Sequence, residues 1–190
     1  MASISQLSYS KQLAFAYLTC ERLYPNYEYF SIHFNFGAPQ ILRTAINHVY
    51  ANIFAKFPKN ITHNLIKSLD TITPFPEHFN TVLASSALDA CTSVSEALEF
   101  ILDKNPLRLS DISTFATDSI DMYIQEKNKM DYNADPEFEE KILRDPLMIK
   151  ELDIQKGIIL YLEKIENINK TDIETLLQLQ GFNGNLNLKN

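Results

Sequence analysis

Four glycines among 190 residues restrict this chain more than any other feature of it. That is roughly a third of the usual share, which is about 7%. Tight β-hairpins need residues that tolerate positive φ, above all glycine. Backbone cradles for phosphate draw on the same residue. A chain this poor in glycine is steered away from turn-rich β architecture and from phosphate loops together. The four are Gly37, Gly157, Gly181 and Gly184. Neither GxGxxG nor GxxxxGK[ST] can be written with them, and no GxSxG elbow occurs.

What remains reads as helix. Leu7 to Tyr24 is apolar on every side through Leu13–Cys20, the mark of a helix surrounded by others. Pro25, followed by Asn26, is expected to stop it. A short aromatic segment follows, with Tyr27, Tyr29, Phe30, Phe34 and Phe36, closed by Gly37. From Pro39, Leu42, Ile46, Val49, Ile53 and Phe57 recur at helical spacing. Asn60 to Thr73 forms a shorter helix before Pro74 and Pro76. Phe79 to Asp103 carries the cleanest stripe, Leu83, Ala87, Cys91, Val94, Leu98 and Ile101, flanked by small residues. After Asn105-Pro106, Ser110 is the expected N-cap of the next helix. Asp135-Pro136 looks like a capped start with proline at the first position, and after Asp145-Pro146 a long helix is expected to run to about Ile168. Thr171 to Glu174 matches a capping box, and Gly181 stands where that last helix should end. Residues 182–190 read as a docked or flexible tail. The expected fold is all-α, a single domain over 1–190 built as a bundle of seven to nine helices.

Charge narrows the partners. Residues 1–105 hold 7 Lys/Arg against 8 Asp/Glu, and residues 106–190 hold 10 against 16, so −6 of the −7 net charge lies in the second part. Such a field repels phosphate backbones and anionic lipid surfaces, which speaks against nucleic-acid and membrane partners. The longest apolar run, Leu13–Cys20, is far short of the roughly 20 residues that span a bilayer. Met1 to Ser10 carries no charged side chain, so the start does not read as a signal peptide. Cys20 and Cys91 have no framework spacing and suit buried thiols in a reducing compartment, with cytoplasm as the expected location.

The search for chemistry returns little. His33, His48, His63 and His78 make no HExxH pair, and no glutamate has a histidine three residues on, so no metal or other cofactor is expected. Asp111, Asp118 and Asp121, with Glu151 or Asp153, could bind a cation or simply form an acidic face. One group stands out: Glu21 and Arg22 at the end of the buried stretch, Arg43 on an apolar helix, and Asp89 within an Ala/Ser-rich one. Such charges are rarely buried unpaired. They form either a structural ion-pair network or the lining of a polar pocket. Asp89 is expected to pair with Arg22 or Arg43, the available forked donors.

At Cys20-Glu-Arg-Leu-Tyr-Pro-Asn-Tyr27 the sequence resembles the YjaG-like bacterial proteins, domain-of-unknown-function family 416. The likeness continues at Phe36-Gly37, Arg43, Leu88-Asp-Ala-Cys91, Ser95-Glu96, Ser119, Asp145-Pro146 and Glu151-Leu-Asp-Ile-Gln155. Tyr50 departs from it, standing where a tryptophan is expected. The resemblance implies a cytosolic, all-helical bacterial protein with no assigned activity or cofactor.

Function divides into two expectations. The first is a non-catalytic helical protein acting through a protein partner or a homo-oligomer, with Tyr24, Tyr27, Tyr29 and Phe30 as interface or core aromatics. The second is an enzyme or small-molecule binder built on Glu21, Arg22, Arg43 and Asp89. A sealed polar network favours the first, and a cleft with those charges converging in it favours the second.

Overall fold

Helix α1 (Tyr9–Phe34) is the centre of the structure, which is a computed structural model describing residues 4–180 and 184–188. Every residue from Gln12 to Cys20 is buried, as expected of a helix apolar on all sides. Around it lie α2 (Pro39–Phe54), α3 (Lys59–Asp70), α4 (Leu83–Asp103), α5 (Leu107–Asn128), α6 (Phe138–Arg144), α7 (Pro146–Lys164) and α8 (Lys170–Gln180). Helix α1 touches α2, α4, α5, α7 and α8. The described residues therefore form an all-α fold of eight α-helices, inside the expected range, with no strand.

Helix α4 lies along both α1 and α5. Its small residues Ala84, Ser86, Ala87, Ala90 and Ser93 are buried there, so neighbouring backbones come close. The main core runs from Leu13 to Leu176. A smaller cluster of Ile120, Ile124, Phe138, Ile142, Met148 and Leu186 fills the space under α6.

Scarce glycine changes how the helices end. Helices α1, α4 and α5 close on Asn35, Lys104 and Lys129 in the left-handed region. Lysine there costs about 1–2 kcal/mol that glycine would not. Gly37 is placed where no other residue fits. Its φ is +71°, and a Cβ would come within 2.1 Å of the Tyr27 hydroxyl.

Several local expectations are corrected. Pro25 lies inside α1, and the aromatic segment after it is helical to Phe34. Proline's fixed φ suits a helix; its cost is the missing N–H and a crowded carbonyl one turn back. The opened turn is filled by the tail. Asn185 donates its backbone N–H to Arg22 O (3.1 Å), and a Cβ on Gly184 would lie 2.9 Å from Pro25 Cβ. Asn185 also accepts from Asn26 Nδ2 (2.7 Å) and donates to Ala116 O (3.0 Å). Helix burial beyond Pro25, at Tyr27, Phe30 and Ser31, outweighs the break.

Ser110 is not a cap, because α5 starts at Leu107, whose N–H is taken by the Asn105 side chain. Asp135 makes a turn with the Glu137 N–H and pairs with Lys141, and α6 begins only at Phe138. The capping box sits two residues early: Asn169 and Asp172 exchange side-chain-to-backbone bonds of 3.1 and 2.9 Å. Asp145 caps α7, accepting from Leu147 N at 2.8 Å, and that helix ends at Lys164 rather than near Ile168. Gly181 and much of the tail, residues 182, 183, 189 and 190, lie outside the described residues.

Candidate functional site

The four charged residues singled out by sequence do not meet. They divide among three separate contacts. Glu21 accepts from Arg43 Nη1 at 2.6 Å, joining α1 to α2 at a half-buried position. The Arg43 guanidinium also lies 3.8 Å over the Tyr24 ring, a cation–π contact.

Arg22 turns the other way, into the protein. Its Nη2 and Nε bond both oxygens of Glu151 on α7, at 2.6 and 3.1 Å, and both side chains are almost fully buried. The Glu151 Oε1 also accepts from Gln155 Nε2 (2.8 Å), and Gln155 in turn is bonded to Ser113 on α5. A buried ion pair is tolerated when its remaining polar atoms are satisfied. This one ties α1, α7 and α5 together.

Asp89 has neither arginine as a partner, which corrects the expected pairing. Arg22 is held by Glu151, and Arg43 by Glu21. Asp89 Oδ2 instead accepts from Ser119 Oγ of α5 at 2.7 Å. A hydroxyl stabilises a carboxylate far less than a guanidinium does. Burial therefore pushes the Asp89 carboxyl up to about 7, with nearby Asp118 adding to the effect and Ser119 opposing it.

The aromatics mostly complete the core. Tyr27 is fully buried and donates to Ile72 O at 3.0 Å. Phe30 packs in a ring cluster with Phe34, Phe36 and Phe79. Tyr29 stacks on His33, and Tyr24 lies under Arg43. Tyr50 packs its ring 5.1 Å from that of Tyr17. Only the end of this region is open, at Ile32 and Phe34.

Both cysteines are buried, and burial pushes the Cys20 thiol up and the Cys91 thiol up to about 12. The candidate cation group is not assembled with Glu151, which is engaged by Arg22. Among the described residues no three His, Cys, Asp or Glu side chains come together to hold a metal.

Sequence reasoning missed the open site. Between α7 and α8 runs a groove of about 650 Å³. Its walls are Ile149, Ile154, Ile158, Leu176 and Leu179, with Lys150, Asp153, Tyr161 and Gln180 as polar members. Tyr161 is tied to Asp172 (2.9 Å). Gly157 lines the middle, and a Cβ built on it meets nothing within 4 Å. A signal was present: one of only four glycines falls in mid-helix, away from any turn.

The chain can now be set beside known proteins. A family model described as a protein of unknown function (DUF416) matches residues 1–188. The chain belongs to the DUF416 family. An uncharacterised protein of Haemophilus influenzae is 26% identical over 172 residues, covering 90% of this chain and 84% of the relative. The uncharacterised protein YjaG of Escherichia coli is 24% identical over 178 residues, covering 93% and 87%. A crystal structure of a DUF416 family protein from Shewanella baltica superposes with a TM-score of 0.82 at 23% identity, over 93% of this chain and 90% of that one. That likeness shows the fold. The blocks on which the DUF416 resemblance rests are joined in space: Arg22 of the first reaches Glu151 of the last, and Asp89 reaches Ser119. DUF416 relatives carry no assigned activity, and no helix among the described residues is long and apolar enough to cross a membrane.

Proposed function

We propose that this protein works by binding rather than by catalysis, and that the α7–α8 groove is where it binds. The observation that carries this is Gly157. A glycine in a helix interior costs about 0.5–1 kcal/mol relative to alanine. Gly157 has no positive φ and no neighbour that a side chain would strike, so the fold gains nothing from it. What it does is keep the middle of the groove open. A mainly apolar concavity of a few hundred Å³ with few polar groups is the usual form of a small-ligand site.

The charged cluster supports the same reading. Its members are bonded to one another or to neighbours inside the fold, and none of the four lines the groove. The net charge of −7 supports the absence of a nucleic-acid partner. Two buried, unpaired cysteines fit a reducing compartment such as the cytoplasm. Association with a protein or a second copy is a second reading, favoured by the exposed Ile32 and Phe34 at the end of the aromatic cluster.

Thermal-shift screening of small amphipathic molecules tests the proposal, because a ligand of the native state raises its melting temperature. Ligands should stabilise the wild type and not Gly157→Phe, whose ring fills the groove. Equal stabilisation of both would place binding elsewhere and end this reading. Light scattering tests the second reading: a dimer disrupted by Phe34→Ser supports it, and a monomer at all concentrations removes self-association.

A further inference from the structure

The outer side of α7 is left open by the rest of the fold. At about 100° per residue, Ile149, Asp153, Lys156 and Leu160 fall within about 60° of one another. They run along the side opposite the buried Glu151, Gln155, Ile158 and Leu162. Ile149 and Leu160 are 46% and 44% exposed, and Asp153 and Lys156 stand exposed between them. Neither charge makes an ion pair among the described residues. Leu152, at 43%, widens the apolar strip on one flank.

The order of the stripe selects what can cover it. It runs aliphatic, anion, cation, aliphatic, so turned end for end it is complementary to itself. Two copies of α7 laid antiparallel, with a two-fold axis between Ile154 and Gln155, set Ile149 against Leu160 and Asp153 against Lys156. Symmetry makes each pair occur twice. The same register brings the exposed Lys164 towards the half-buried Asp145 of the second copy. Sliding one copy by a helical turn sets Asp153 against Leu160, or Ile149 against Lys156, and loses both kinds of pair. A parallel arrangement in register sets like charge against like, which association strongly disfavours. The chain's net charge of −7 is not on this face: α7 carries Lys150, Lys156 and Lys164 against Asp153 and Glu163, with Glu151 held by Arg22.

We propose that this face of α7 is a two-fold interface and that its occupant is α7 of a second copy of the chain. The aliphatic ends exclude water, and the central charges fix direction and register. The inference goes beyond the groove reading and does not need it. Ile149 and Asp153 stand on the edge of the groove, whereas Lys156 and Leu160 do not line it. A contact of one helix from each copy is small, so the dimer is reversible.

Sedimentation velocity over the micromolar to millimolar range tests it. Wild type should pass from monomer to dimer as concentration rises. Asp153→Lys and Lys156→Asp should each weaken the dimer roughly tenfold or more, because each sets two like-charge pairs across the axis. The double variant, Asp153→Lys with Lys156→Asp, should restore it, and circular dichroism checks that all three remain helical. Oxidation reads the register. Ile149→Cys with Leu160→Cys should cross-link two chains. Ile149→Cys alone should not, since its two copies lie about 16 Å apart along the axis, far beyond disulfide reach. Cys20 and Cys91 are buried and do not compete. A monomer at every concentration, or a dimer that both single charge variants leave unchanged, overturns the proposal. So does a dimer lost in Phe34→Ser but kept in those two variants, which places the contact at the end of α1. Ligand stabilisation that depends on Gly157 is read separately, so the groove stands or falls on its own.

Discussion

Helices α1 and α7 each contain a residue that helix interiors ordinarily avoid, and the two are treated in opposite ways. Pro25 in α1 is surrounded by compensation. The tail brings Gly184 against its ring and Asn185 against the Arg22 carbonyl, and the face beyond it is buried. Gly157 in α7 has no compensation at all: nothing touches the position where its side chain would be. The same contrast extends to the charges. Those of α1 are bonded inside the fold, whereas Lys150 and Asp153 on α7 face an open groove. An irregularity that the fold repairs reports on packing. One that the fold leaves open reports on space kept for something else.

The largest effect should come from breaking the sealed side. Glu151→Ala leaves the Arg22 guanidinium buried and unpaired, which should cost about 3–5 kcal/mol in urea denaturation. Replacing both partners, as Arg22→Met with Glu151→Leu, should cost much less, because two apolar side chains can fill the same volume. Equal losses from single and double variants would mean that the pair is not the linchpin between α1 and α7.

The glycines sharpen the comparison. Gly37→Ala forces a methyl group into the Tyr27 hydroxyl at positive φ, and should destabilise by about 2 kcal/mol. Gly157→Ala should instead stabilise by about 0.5–1 kcal/mol, read as a higher denaturation midpoint with an unchanged slope. A loss at Gly157 would mean that the fold needs it, and the groove argument would lose its main support.

Asp89 offers a pH test of the same division. Its carboxyl is near 7 when folded, against an ordinary value of 3.8. The raised value means that the unfolded chain releases this proton first, so stability falls as pH rises from about 4 to about 7 and the full penalty is present above that. Asp89→Asn should therefore be on the order of 1–2 kcal/mol more stable than wild type at pH 8 and close to it at pH 4. A variant that is less stable at pH 8 would show a useful carboxylate there.

The helical class, the central position of α1 and the burial of Cys20 were legible in periodicity and composition, because a continuous apolar surface allows few other arrangements. The cluster of Glu21, Arg22, Arg43 and Asp89 was legible only as a list. Glu21 and Arg22 are neighbours in sequence and point about 100° apart on a helix, so one meets α2 and the other α7. Sequence held no means of choosing Glu151 as the partner of Arg22, 129 residues away. Pro25 misled because its repair lies in the tail, equally remote. Gln180 was invisible as a groove residue, since only the packing of α8 against α7 places it in the lining.

The most direct test of the account is an amide-resolved NMR titration of the wild-type protein with an amphipathic molecule that raises its melting temperature. Shifts should concentrate at Ile149–Tyr161 and Leu176–Gln180, while Glu21, Arg22, Arg43 and Asp89 stay still. Shifts centred on those four charged residues, with the α7–α8 groove unmoved, would contradict it.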